Sequence, residues 1–252
     1  MKTSAFLTLL TGATLALGTA QAQVQTALLA SNHAARQMPV LKTQEILDKH
    51  IQALGGTEKL NALKTVIVRQ TTSAQGQDIP QTLYIVQGKA VRSEMNAMGI
   101  EIIVAAREDS GWQVNPAAYG NKQPVAMEPK QAKAACAQAD VFGAIISAQA
   151  KGHTIAYDGD EKIDGDLCYR LAITNPRAGT YTAFVSQKSN MVVKLVTKST
   201  EAYYSDYRNV DGYQFPHTVE VIASGTKVSL IDRRFEVNKP IDDALFAMPV
   251  AN

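Results

Sequence analysis

The chain of 252 residues is poor in the residue patterns that announce chemistry. Its two cysteines, Cys136 and Cys168, lie far apart and form no C-x-x-C redox pair. Its four histidines, His33, His50, His153 and His217, fall in no H-E-x-x-H or other close ligand spacing, so no metal site is written in them. No G-x-S-x-G elbow, G-x-G-x-x-G turn or Walker loop occurs. An enzyme needs a positioned nucleophile, base or metal, and the sequence offers none in recognisable form. An excess of one charge is also missing. The 25 Lys and Arg stand against 23 Asp and Glu without a basic patch, which argues against nucleic acid as a partner. Past the first residues, no apolar run is long enough to span a bilayer.

What is present begins with an export signal. Lys2 precedes an apolar stretch from Phe6 to Leu17, and Ala20-Gln21-Ala22 reads as a small-x-small cleavage site. The stretch falls short of the ~20 residues of a spanning helix. Residues 1–22 therefore read as a signal peptide, with a mature chain from Gln23 that is exported to the periplasm. No cysteine follows the cleavage point to carry a lipid anchor. Loss of Lys2 with the leader brings the chain near electrical neutrality. Residues 23–42, rich in Ala and Gln, read as a loosely ordered lead-in, and 43–252 as a single domain.

The C-terminal half alternates with a period of two. Leu167, Tyr169, Leu171 and Ile173 share one parity, and the pattern returns in Tyr181, Ala183, Val185, in Met191, Val193, Leu195 and in Tyr213, Phe215, Val219, Val221. A strand sends successive side chains to opposite faces, so these runs predict a sheet with one dry and one wet face. Asp164-Gly165, Ala178-Gly179, Ser189-Asn190, Asp211-Gly212 and Ser224-Gly225 separate them, and Asp-Gly pairs suit tight hairpins. Earlier strands are expected over 65–71, 82–86, 91–95, 100–105 and 111–114. In 228–237 the apolar parity switches from even to odd. A bulge near Leu230 would re-aim the strand there, and a strand end buried on both faces is the alternative.

Two helices interrupt this order. Thr43 is placed to cap one running to Leu54, ended by Gly55-Gly56, with Ile46, Leu47, Ile51 and Leu54 on one stripe. Glu128-Pro129 opens a second, running to about Ala148 and interrupted near Gly143. Either could cover the dry face of the sheet. In an oxidising compartment Cys136 and Cys168 could form a disulfide worth roughly 3–4 kcal/mol, or be two small buried side chains. The acidic run Asp158-Gly159-Asp160-Glu161 offers oxygen ligands for calcium but lacks the EF-hand register, and solvated turns explain it more simply. Tyr203, Tyr204 and Tyr207 suit cross-strand packing or, alternatively, a cavity mouth.

Several segments resemble bacterial outer-membrane lipoprotein-sorting proteins of the LolA and LolB type. They are the stretch from Glu45 to Gly56 with Glu58-Lys59-Leu60, the hairpins Ile163–Leu171 and Asp206–Pro216, and the ending Asn238–Pro249. These motifs are structural, so the resemblance speaks to fold before activity. It implies an α+β, mostly β architecture: an open antiparallel β half-barrel with helices covering the concave face. It further implies a cavity for lipid or lipoprotein acyl chains, with inner- or outer-membrane transport components as partners. On that reading Leu83, Ile85, Leu171, Ile173, Tyr181, Phe215, Val219 and Val221 line the cavity, with no catalytic residue, cofactor or metal. The carriers hold their closed state with a cavity arginine. Arg69, Arg92 and Arg107, on or near the early strands, are the positions considered for that part, and the resemblance matches none of them. The alternative reading is a non-enzymatic envelope module, structural or sensory, acting through protein–protein contacts.

Overall fold

The computed structural model describes residues 40–176 and 179–249. The segment expected to be a leader, the expected cleavage site, most of the expected lead-in, His33 and Ala178 lie outside the described residues. The chain divides into two compact units, Met1–Glu45 and Ile46–Asn252. The described part of the first is helical over 40–45, where Lys42 and Glu45 form an ion pair at 3.9 Å.

Helix α1 spans 40–54, so Thr43 lies inside it and is not its cap. Its end is as expected: the Gly56 N–H returns to Ile51 O (2.9 Å) and the Gly55 N–H to Gln52 O (3.2 Å). Helix α2, Thr57–Ala62, follows directly.

The strands then run outward as a meander: β1 Thr65–Ala74, β2 Gln77–Val86, β3 Ala90–Ala97, β4 Ile100–Arg107, β5 Ser110–Val114 and, after the short helix α3 at Pro116–Tyr119, β6 Val125–Ala126. Helices α4 (Pro129–Cys136) and α5 (Gly143–Ala150) come next. A second meander follows: β7 Thr154–Ile163, β8 Asp166–Asn175, β9 Gly179–Ser186, β10 Val192–Val196, β11 Thr200–Val210, β12 Tyr213–Ala223 and β13 Thr226–Val237. One turn of 3-10 helix at Asp243–Phe246 ends the fold.

All thirteen strands join one antiparallel sheet, in which β1 pairs with β13 and the edges are β6 and β7. The chain thus starts mid-sheet, works out to one edge, crosses to the other and works back. That crossing carries α4 and α5, which is why the interior helices lie over a face of the sheet. The fold is mostly β, an open half-barrel with helices on its concave side.

Tight hairpins drive the meanders. At Gln75-Gly76, Met98-Gly99, Asp164-Gly165, Asp211-Gly212 and Ser224-Gly225 both residues have positive φ, the type I′ geometry that matches strand twist. The expected break at Gly143 is wider than one residue. Ala137–Ala139 tightens to a 3-10 turn, Asp140 is extended, and Gly143 (φ +83°) restarts the helix. The interruption lets this stretch bond to the β2–β3 turn: Gly88 N–H donates to Ala139 O (3.0 Å), and Val141 N–H to Gln87 Oε1 (3.1 Å).

The predicted bulge in the last strand is present, two residues further on. The β1–β13 register slips opposite Gln70, and Asp232 there has φ +53°. The extra residue keeps Leu230 before it and Phe235 and Val237 after it on the same face.

Candidate functional site

Two packed clusters fill much of the covered face. In one, Ile46 and Leu47 of α1 and Ile145 and Ala148 of α5 lie on Leu171, Ile173, Ala183 and Val185 of β8 and β9. In the other, Leu54, Leu60 and Leu63 meet Val66, Val68, Ile85, Val91 and Phe215. Beside the second cluster the packing stops. A cavity of about 560 Å³ opens there, walled by β1–β3 and β11–β13 and rimmed by Asp140, Val141 and Gly143 of the helical crossover.

Its apolar wall includes Val68, Leu83, Ile85, Phe215, Val219 and Phe235. Of the residues expected to line a cavity, the structure brings Leu83, Ile85, Phe215 and Val219 to this wall. Leu171 and Ile173 do not reach it: they are fully buried beneath α1 and α5. Tyr181 packs with them and donates its hydroxyl to Ala144 O at 3.3 Å. Val221 lies farther along β12, paired with Ala202 and Val228. Parity places a side chain on the right face of a sheet, but helices decide which stretches of that face they fill.

A polar chain crosses the same wall. Gln70 Nε2 donates to Gln81 Oε1 (2.6 Å), Thr72 Oγ1 to the same oxygen (3.1 Å), and Gln81 Nε2 to Ser93 Oγ (2.8 Å). It ends at Arg233, whose Nε donates to Gln70 Oε1 (2.9 Å) and Nη1 to Pro216 O (2.7 Å). The guanidinium lies 4.9 Å from the Phe235 ring centroid, and Phe235 stacks on Phe215 at 4.5 Å. Its position follows from the sheet. β12 pairs with β13 only over Val219–Ala223 and Thr226–Leu230, and past that point the side chain of Arg233 occupies the gap.

Burial lowers Arg233 to about 10, against the opposing influence of the nearby Tyr207 and Tyr204. Burial raises both tyrosines in turn. Tyr204 lines the cavity, whereas Tyr207 packs on the second cluster and donates to Val192 O at 2.8 Å. Among the described residues, no carboxylate lies within ion-pairing distance of Arg233.

The three arginines considered from the sequence all face away from this wall. Arg69 alternates with Val68 and pairs with Glu236. Arg92 alternates with Val91, bonds Glu94 (2.6 Å) and Leu245 O (2.7 Å), and covers Trp112. Arg107 alternates with Ala106 and pairs with Asp243 at 2.8 Å. Arg92 and Arg107 pin the C-terminal turn onto the outside of β3–β5, helped by Trp112 Nε1 donating to Phe246 O (3.0 Å). The signal for Arg233 was the parity switch in β13.

The cysteines do not bridge. Both are free thiols, with Cys136 Sγ 3.2 Å from Lys89 O on the helix side. Cys168 has the opposite parity to Leu171 and Ile173, so it points to the face of the sheet away from the helices, whereas Cys136 sits on the helix side. The acidic run forms a bulge in β7 clamped by Arg170, which reaches Asp158 at 3.2 Å and Glu161 at 3.5 Å. Among the described residues no three His, Cys, Asp or Glu side chains gather as a metal site. His50 is buried and hydrogen-bonds Asn190 O at 2.8 Å, while His217 packs edge-on to Phe235.

No family model matches the sequence, and no curated protein matches it. Solved structures do. A LolA superfamily protein from Nitrosomonas europaea matches with a TM-score of 0.55 at 15% identity, covering 81% of this chain and 97% of its own. A domain described as an outer membrane lipoprotein-sorting protein, from Vibrio parahaemolyticus, matches with a TM-score of 0.55 at 12% identity, covering 81% and 96%. A DUF1329 family protein from Desulfovibrio piger gives 0.54 at 12%, covering 81% and 97%. Identities this low speak to architecture, and the architecture they share with this chain is the LolA-like fold.

Proposed function

We propose that the protein is a non-enzymatic periplasmic carrier that holds an acyl chain of a lipid or lipoprotein in the cavity beneath the helical crossover. The observation that carries this reading is the cavity of about 560 Å³ beside the packed clusters of the covered face. Its size falls in the range of small-molecule sites, and its walls are mostly apolar. Burial of each methylene contributes about 0.8 kcal/mol, so a chain of ~16 carbons offers on the order of 10 kcal/mol before the cost of association. Such a ligand needs few directed contacts, consistent with the absence of a catalytic motif.

Three further points support the reading. Sequence segments resemble lipoprotein-sorting proteins, the leader reads as an export signal, and no described helix is long and apolar enough to cross a membrane. Loading would displace the crossover, since Asp140, Val141 and Gly143 form its rim and the stretch from Ala139 to Val141 is hydrogen-bonded to the sheet at Gln87 and Gly88. Membrane transport components would supply and accept the cargo. The test is mass spectrometry of lipids extracted from protein purified from the periplasm without detergent. Near-stoichiometric acylated lipid is expected. Reproducible absence of bound lipid, with no uptake from vesicles, would contradict the proposal.

A further inference from the structure

Arg233 is out of place in a site built only for hydrocarbon. An acyl chain gains nothing from a guanidinium in the wall, and even partial burial of a charge is costly unless it is paired. Here both named hydrogen-bond partners, Gln70 Oε1 and Pro216 O, are neutral amide oxygens. They take two of the five N–H donors of an arginine. Asp140, the other charged side chain on the cavity, is engaged at the rim by Gln87 Nε2 (3.2 Å) and the Phe142 N–H (3.4 Å).

The same residue borders a second space. Arg233 also lines a polar pocket of about 330 Å³ with Asp206, Arg208, His217, Asp232 and Arg234. It therefore stands where the β12–β13 ladder opens, with an apolar cavity beside it and a polar pocket sharing it. That is the arrangement an amphiphile requires: a greasy chain on one side of a fixed cation and solvated groups on the other. The planar guanidinium fork matches a carboxylate, and its single charge on the cavity side matches a monoanion.

We propose that Arg233, oriented by Gln70 and the Pro216 carbonyl, is the headgroup site for a carboxylate-bearing acyl chain, which makes a long-chain fatty acid the preferred class of cargo. The inference rests on the carrier reading above. Gln70 acts as a positioning residue, tied through Gln81 to Ser93. The lowered proton affinity of Arg233 agrees with a charge held short of a counter-ion.

The test compares delipidated full-length mature protein binding palmitate and hexadecanol, which share a chain and differ in headgroup charge. Wild type should bind palmitate about 10- to 100-fold more tightly, the range for a hydrogen bond to a charged group. Arg233→Met should lose that preference, its palmitate-to-hexadecanol ratio falling towards one, and Arg233→Lys should retain part of it. Equal wild-type affinity for the two would overturn the headgroup site and leave the carrier reading standing. Failure to bind either would overturn both. Should Arg233→Met not fold, the wild-type ratio alone still decides. Acetate and inorganic phosphate serve as competitors. Neither should displace palmitate at millimolar concentration, and displacement by either at that level would show a small-anion site and overturn the amphiphile assignment.

Discussion

Replacing Val219 and Val185 by phenylalanine, one at a time, separates a hollow from a packed interior. Both valines are buried, at 6% and 0% exposure, and both are on strands of the covered face. Val185 is enclosed by Leu171, Ala183 and the residues of α1 and α5 above it. Four extra carbons have no room there, and overpacking of this kind costs about 1–3 kcal/mol. Val219 faces the cavity of about 560 Å³. The added ring enters open space, and at about 0.8 kcal/mol per buried carbon group, half-realised in an open site, it contributes about 1–2 kcal/mol. The two substitutions should therefore differ in sign. Urea unfolding with a common m-value reads the difference, and in thermal melts each kcal/mol is worth about 2–4 °C at this size. Val219→Phe should also weaken uptake of an acyl ligand several-fold. A loss of stability at Val219 equal to that at Val185 would show that the wall around Val219 is packed, and the reasoning would fail.

Other outcomes follow from the same geometry. Gly55 has φ +133°, and a Cβ there would lie 2.6 Å from Gly212 O, so Gly55→Ala should cost at least about 2 kcal/mol in urea unfolding. His50 is lowered by burial, partly offset by its bond to Asn190 O, and its Nε2 has no partner among the described residues. The unfolded chain thus binds the proton more readily, and the histidine's contribution is full above its unfolded value near 6.5. That contribution should decline as the pH falls below 6.5 and level off below the lowered native value. His50→Gln should flatten this slope in melts between pH 7 and 5. Because Cys136 and Cys168 are free, a reductant should leave the melting temperature unchanged; a drop of several degrees would reveal a bridge worth roughly 3–4 kcal/mol.

Strand parity and Asp-Gly turns made the meanders readable because hairpins are local: the turn residues and the alternation sit within a few positions of each other. The β1–β13 pairing was not readable, since nothing near Val66 or Val237 names its distant partner. Thr43 had the chemistry of a cap, but helical residues precede it. Leu171 and Ile173 had the parity of a cavity wall, yet the fit of Ile46 and Ile145 over them is a packing fact that parity does not carry. Arg233 was hidden by the bulge at Asp232. In the text it is one of two adjacent arginines, and only the slipped register with β1 assigns it, and not Arg234, to the side of Gln70. A parity change next to paired charges is the trace such a site leaves.

The most direct measurement is photolabelling with a diazirine-bearing palmitate, followed by mapping of the modified peptides. A hollow beneath the crossover predicts saturable adducts on β1, β2, β12 and β13, around Val68, Leu83, Val219 and Phe235, competed by unlabelled palmitate. Labelling confined to exposed apolar side chains such as Met98, Leu167 and Ile222, or rising without saturation, would show that the chain rests on the surface and that the cavity holds no cargo.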